Sequence, residues 1–143
     1  MTDLDIVAAA RPYSMTSDSN LMATVEAVHM IDQGVPGDVV ECGVWRGGQI
    51  IAAMLASDQN RRYWLFDTFD GMPESGPQDT RRGAHATESS KYRKLGREWC
   101  RAELTEVKQN VDPFVSSNHT VIYVPGLVER TMRHALLPEH IAL

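Results

Sequence analysis

The stretch DVVECGVWRGGQIIAAMLA, residues 38–56, is the most restrictive part of this chain. A short run rich in Val fits a strand buried on both faces. Glycines follow at once, and then a segment that is apolar all round, as expected of a helix packed against a sheet. Strand, glycine turn and buried helix form the opening unit of an α/β domain. The glycines raise the functional question, because such a loop exists to hold something.

The pattern repeats along the chain. TSDSNLMATVEAVHMID predicts a helix capped by Ser17 or Asp18, with Leu21, Met22, Val25 and Val28 on one face. After a turn at Asn60-Arg61-Arg62, YWLFD reads as a second strand ending on Asp67. The turn-rich TFDGMPESGPQD is a loop. REWCRAELTEVKQNV follows as a helix with Trp99, Ala102, Leu104 and Val107 inward. HTVIYV is a third strand and LVERTMRHAL a short helix. This alternation predicts a parallel sheet with helices on both faces. Residues 1–16 read as a mobile N-terminal arm, and residues 17–143 as one domain.

Bulk properties exclude several classes. With 143 residues, 43% of them hydrophobic, one domain with a real core is expected. A net charge of −5 argues against a nucleic-acid partner. The one basic cluster, Arg81-Arg82 with Lys91, Arg93, Lys94 and Arg97, reads as a solvated face. No signal or membrane span is visible, which predicts a cytoplasmic protein without a membrane partner. Cys42 and Cys100 are far apart, and Cys42 reads as a buried strand thiol. His29, His85, His119, His134 and His140 are scattered and read as surface residues, so none is nominated as a catalytic base.

The glycine loop can be tested against known ligands. Gly43 and Gly48 have the outer spacing of a P-loop, but Gln49 and Ile50 stand where Lys and Ser or Thr are needed. A dinucleotide fingerprint needs glycine at position 45 for close approach to pyrophosphate, and Trp45 blocks it. Glu41, Gly43 and Gly47 remain, an acid beside two turn-forming glycines. A carboxylate repels phosphate and suits a ligand with an ammonium group or hydroxyls. Asp67, at the end of the second strand, is placed to accept hydrogen bonds from ribose hydroxyls. A ribose, a cationic end and no phosphate describe S-adenosylmethionine. The plainer alternative is that Glu41 and Asp67 are strand-terminal acids that cap helices.

ECGVWRGG, FDTFDGMP and RPYSMTS together resemble the macrocin O-methyltransferase family, from about Arg11 to the last residue. WCRAELTEVKQNV and GLVERTMR look similar in placement, while Gln49 departs from the family's more frequent Ser. The resemblance implies a Rossmann-like methyltransferase fold and S-adenosylmethionine-dependent methylation of sugar hydroxyls on antibiotics such as macrolides. It implies that Glu41, Gly43 and Gly47 line the methionine end of the cofactor, that Asp67 meets the ribose, and that Gly126 and Leu127 lie near the adenine edge. Related metal-dependent enzymes fold a Met-x-Ser/Thr segment over the cofactor, and Met15 and Ser17 occupy its places. Phe69 to Pro73 resemble the mobile cover of the acceptor pocket.

The resemblance also implies a Mg²⁺ that favours the acceptor alkoxide. Its ligands are expected in the loops after strands four and five, beyond Leu143. The chain is therefore expected to be a fragment, truncated at the start of strand four and inactive alone, with the first strand left as a bare apolar edge. The expected partner is a glycosylated small-molecule acceptor. Two other classes stay open. One is a non-catalytic nucleoside-binding module completed by homo-oligomerisation, marked by tight self-association without methylation. The other is a nicotinamide-dependent oxidoreductase, separable by NADH titration.

Overall fold

A computed structural model of the chain describes residues 1–73, 76–81, 84, 85, 98, 100–134 and 137–143. Its elements in chain order are helices α1 (Asp3–Ala10) and α2 (Asp18–Ile31), strand β1 (Val39–Cys42), helix α3 (Gly48–Ala56) and strand β2 (Arg61–Asp67). Then come a small hairpin of β3 (Thr80–Arg81) and β4 (Ala84–His85), helix α4 (Leu104–Val111), strand β5 (His119–Pro125) and helix α5 (Val128–His134). The predicted alternation is present, and the three main strands are parallel with β2 in the middle.

The register explains the core. Val39 lies opposite Tyr63, and Tyr63 opposite Val121. Alternate residues Tyr63 and Leu65 of β2 join Leu21, Val25 and Val28 of α2 and Ile50, Ile51 and Met54 of α3 in one buried cluster. Four of the nine residues of α3 are Ala or Gly, so it can lie close to its neighbours while its larger side chains fill the core. Ser17 caps α2 by accepting from the Asn20 amide, an interaction worth about 1 kcal/mol.

The start of the chain is not a loose arm. Thr2 and Asp5 form a reciprocal capping box, and Ile6, Val7 and Ala10 of α1 are buried against α2 and α3. The IVAAA patch is too short to stand out as an amphipathic pattern; docking onto α3 stabilises it.

Arg61 and Arg62 also differ from expectation: they open β2 rather than turn the chain. Arg61 is buried, with Nε donating to Asp32 Oδ1 at 2.9 Å. Its remaining donors reach the carbonyls of Gly37, Ile31 and Val35 at 2.7, 3.1 and 3.1 Å. One guanidinium thus satisfies the C-terminal carbonyls of α2 and the turn beyond it, which lets a charge enter the strand. His119 is likewise buried, not at the surface. Its Nε2 donates to the Ser57 carbonyl at 3.1 Å, so Nδ1 accepts from the Ser116 hydroxyl, and its ring stands edge-on to Tyr63.

The outer edge of β1 is partly covered. Residues 140–143 run parallel to it: the amides of Asp38 and Val40 donate to the carbonyls of His140 and Leu143, both at 2.9 Å. The start of β1 is therefore flanked on both sides, where a bare apolar edge was expected. Cys42 lies past this coverage and is exposed, which corrects the buried-thiol reading. Trp99 and Lys91, Arg93, Lys94 and Arg97 lie outside the described residues.

Replacing Arg61 with Ala takes the cation from the largely buried Asp32 carboxylate and a donor from each of three carbonyls. The expected loss is about 3–5 kcal/mol of unfolding free energy, read by urea denaturation.

Candidate functional site

Because the strands are parallel, the loops after β1, β2 and β5 emerge at the same end of the sheet, where ligands of such folds bind. The ladder continues into those loops. The Gly43 amide donates to the Phe66 carbonyl, and the Gly126 amide to the Asp67 carbonyl, each at 2.8 Å. All three loops are thereby anchored on the end of β2.

The Asp67 carboxylate completes the anchor. Its Oδ2 accepts from the amides of Val44 at 2.6 Å and Trp45 at 3.0 Å, and its Oδ1 from the amide of Phe69 at 2.9 Å. Trp45 and Phe69 are both left-handed, with φ of 49° and 52°. Such conformations cost a non-glycine residue about 1–3 kcal/mol. Three charge-assisted hydrogen bonds to one carboxylate offset that cost. The Thr68 hydroxyl has one proton, and the Gly71 carbonyl at 2.7 Å competes for it better than Asp67 Oδ1 at 3.3 Å. Oδ1 therefore keeps a lone pair for a ligand.

Two glycines are dictated by close approach. At Gly47 (φ 94°), a Cβ would meet Val111 Cγ2 of α4 at 2.4 Å. At Gly48, a Cβ would meet Ser14 Cβ at 2.5 Å and the Tyr13–Ser14 backbone at 2.8 Å. The bare Cα of Gly48 is thus the seat of a strap, residues 13–16, that joins α1 to α2. Arg11 fastens it, donating to the Ser14 and Thr16 carbonyls and pairing with Asp18 at 3.1 Å.

The strap and the loops enclose a cavity of about 360 Å³. Tyr13 to Thr16 form one wall, Glu41, Gly43, Trp45 and Gln49 another. Asp67, Thr68 and Gly71 to Pro73 continue it, and Cys100 with Leu127 to Glu129 closes it. Three acidic residues, Glu41, Asp67 and Glu129, line this space, and no Lys, Arg or His is among the described lining residues. Glu41 Oε2 is shut off from solvent and has no hydrogen-bond partner among the described residues. Burial first, and the Asp67 charge second, push the Glu41 carboxyl up from its usual 4.5 to about 8. A buried, unpaired acceptor in a cavity wall is costly unless a ligand donor meets it.

Of the residues singled out from sequence, Glu41, Gly43, Asp67, Leu127 and Met15 line this cavity together. Ser17, Gly47 and Gly126 act behind the wall, as the cap of α2, the left-handed start of α3 and the anchored turn after β5. Glu129 and Cys100 were not anticipated. Cys100 is brought in by the chain before α4, with its Sγ 3.9 Å from Met15 Sδ. No group of three or more His, Cys, Asp or Glu suited to a metal ion occurs among the described residues. No described helix is long and apolar enough to cross a membrane.

Comparison with known proteins adds an independent line. The family model described as macrocin-O-methyltransferase matches residues 5–143. The 8-demethyl-8-(2,3-dimethoxy-alpha-L-rhamnosyl)-tetracenomycin-C 4'-O-methyltransferase of Streptomyces olivaceus is 35% identical, over 79% of this chain and 42% of its own length. Mycinamicin III 3''-O-methyltransferase of Micromonospora griseorubida is 31% identical, over 80% of this chain and 44% of its own. The solved structure of the O-methyltransferase NovP superposes with a TM-score of 0.67 at 29% identity, covering 87% of this chain and 51% of that one. The chain spans less than half the length of these two curated relatives.

Two outcomes follow from the geometry. Gly48→Ala forces the strap off its seat, and amide exchange of residues 13–16 should quicken by about tenfold or more, read by mass spectrometry. Glu41 holds a proton in the folded chain that the unfolded chain releases above about 4.5. The stability this confers is complete below that pH and is lost as pH rises to about 8. The unfolding midpoint should fall across this window, and Glu41→Gln should remove that part of the fall.

Proposed function

The chain belongs to the macrocin-O-methyltransferase family, and from that premise we propose that its cavity binds S-adenosylmethionine for methyl transfer to a sugar hydroxyl. The observation that carries this reading is the charge of the cavity: three carboxylates and no basic side chain among its described lining residues. A phosphate-bearing nucleotide would find no basic partner among those residues, whereas the sulfonium and the ammonium of S-adenosylmethionine suit an acidic lining. Trp45, at the tip of the loop, leaves a pyrophosphate no close approach to the backbone.

In this reading Glu41 Oε2 accepts from the ammonium of the methionine end, beside the open backbone of Gly43. Asp67 Oδ1 accepts from a ribose hydroxyl with its remaining lone pair. Leu127 flanks the adenine, and Met15 on the strap covers the cofactor. Gly47, Gly126 and Ser17 contribute by holding these walls in place. The cofactor supplies an electrophilic methyl group on sulfur. Residues 17–143 belong to the methyltransferase domain, and residues 1–16 end in the strap.

The acceptor class rests on the relatives. Their names specify hydroxyls of a rhamnosyl-tetracenomycin and of a macrolide, mycinamicin III. A glycosylated natural product, methylated in the cytoplasm, is accordingly the proposed substrate. Mg²⁺ needs clustered carboxylate oxygens, which the described residues do not supply, so none of them is assigned a metal step.

Isothermal titration of the chain with S-adenosylmethionine is the direct test. Micromolar or tighter binding is expected, with none for ATP or NADH. The double variant Glu41→Ala/Asp67→Ala should bind at least about a hundredfold more weakly, since hydrogen bonds to charged groups are worth about 1.5–3 kcal/mol each. Undiminished uptake by that variant would overturn the reading.

A further inference from the structure

Glu41 lies in a setting that determines more than where an ammonium would sit. It is the penultimate residue of β1, the shortest of the three main strands, with Cys42 beside it, Leu65 across from it and the Asp67 charge at the end of β2 near enough to act on it. The elements packed around it bring no compensating charge. Helix α2 contributes Asn20 and Thr24 to the adjoining groove, α3 contributes Gln49, and the strap contributes Tyr13, all uncharged at neutral pH. Gln49 is already engaged, donating to the Thr24 hydroxyl at 3.2 Å. The other titratable groups among the described lining residues, Glu129 and the Cys100 thiol, bring no positive charge. A second negative charge beside Asp67, on an oxygen without a donor, finds nothing among the described residues to stabilise it.

From this arrangement we propose that Glu41 is a proton-exchanging selectivity residue: it is neutral in the empty cavity and ionises only against a ligand ammonium, so that binding an α-amino ligand expels one proton. The inference rests on the cofactor reading above and deepens it. The balance is simple. The carboxylic acid loses its proton to solvent, the ligand keeps its –NH₃⁺, and a carboxylate–ammonium hydrogen bond replaces the unpaired carboxyl. A ligand with the same nucleoside and thioether but no amino acid leaves the proton in place.

The chemistry has a functional consequence. An acid that is neutral when empty lets Asp67 hold its three amides without a competing like charge nearby. The recognition charge forms only when the correct group arrives. Discrimination then falls on the amino-acid end of the ligand, not on the nucleoside. Because one proton is exchanged, affinity for the α-amino ligand should weaken about tenfold for each pH unit below about 8, and level off above it. The Cys42 thiol, whose pKa is raised by burial and then by the Glu41 charge, stays protonated near neutrality and does not contribute to the exchange.

Calorimetry of the chain near neutral pH, in two buffers of different ionisation enthalpy, counts the protons directly. The probes are S-adenosyl-L-homocysteine, which has the amino-acid end, and 5′-methylthioadenosine, which lacks it. The expected result is close to one proton released per S-adenosyl-L-homocysteine bound, none for 5′-methylthioadenosine, and a release that disappears about one unit above the Glu41 value. Glu41→Gln should bind the first ligand with no proton exchange. Binding of S-adenosyl-L-homocysteine without proton release overturns this inference and leaves the cofactor reading intact. An equal proton count for both probes, or for the Gln variant, also overturns it. Failure of both probes to bind removes the cofactor reading and this inference together. If the Gln variant does not fold, the contrast between the two probes on the unaltered chain decides alone.

Discussion

One carboxylate organises the end of the sheet. Asp67 holds the amides of Val44, Trp45 and Phe69, and through them two backbone positions that no non-glycine residue adopts without cost. The parallel ladder brings three loops to the same place, but a ladder alone leaves loops free to splay. With the clamp in place, Gly43 faces open space, the indole of Trp45 forms part of the wall, and the turn after β5 is anchored beside it. Everything the cavity can recognise follows from that fixed geometry.

The clamp also sets the electrostatics. Asp67 accepts from three amides, and its charge reaches Glu41, the neighbouring acid. The two acids therefore divide the work. Asp67 is committed largely to the protein and keeps one lone pair outward. Glu41 is committed to nothing and is held in reserve. With no basic side chain among the described lining residues, the site is complementary to positive charge by composition and by placement.

Much of this was legible in the sequence, for identifiable reasons. The β-branched run of β1 and the all-apolar face of α3 have no other low-energy arrangement, and the spacing from Glu41 to Asp67 follows from a strand–helix–strand unit. The features that were not legible depend on partners distant in sequence. Arg61 looks like a turn residue until α2 delivers Asp32 and three carbonyls to it. His119 looks exposed until the Ser57 carbonyl and Tyr63 close over it. Helix α1 has too short a pattern to be read before α3 supplies its surface. Glu129 and Cys100 lie in GLVERTMR and WCRAELTEVKQNV, segments whose placement looked familiar but whose spacing gave neither residue a role; they enter the cavity because tertiary folding brings α5 and the segment before α4 to it.

The strap on Gly48 has a thermodynamic corollary. Both of its ends run directly into helices that are packed in the core, and Arg11 cross-links its carbonyls. A cover tethered in this way has little conformational freedom left to surrender when a guest arrives, so the entropic toll on association is small. The same tethering makes departure slow, because the guest leaves only when a cross-linked turn, not a single side chain, swings aside. In the cofactor reading proposed above, residence time would therefore be governed by a segment of the chain that precedes the sheet altogether.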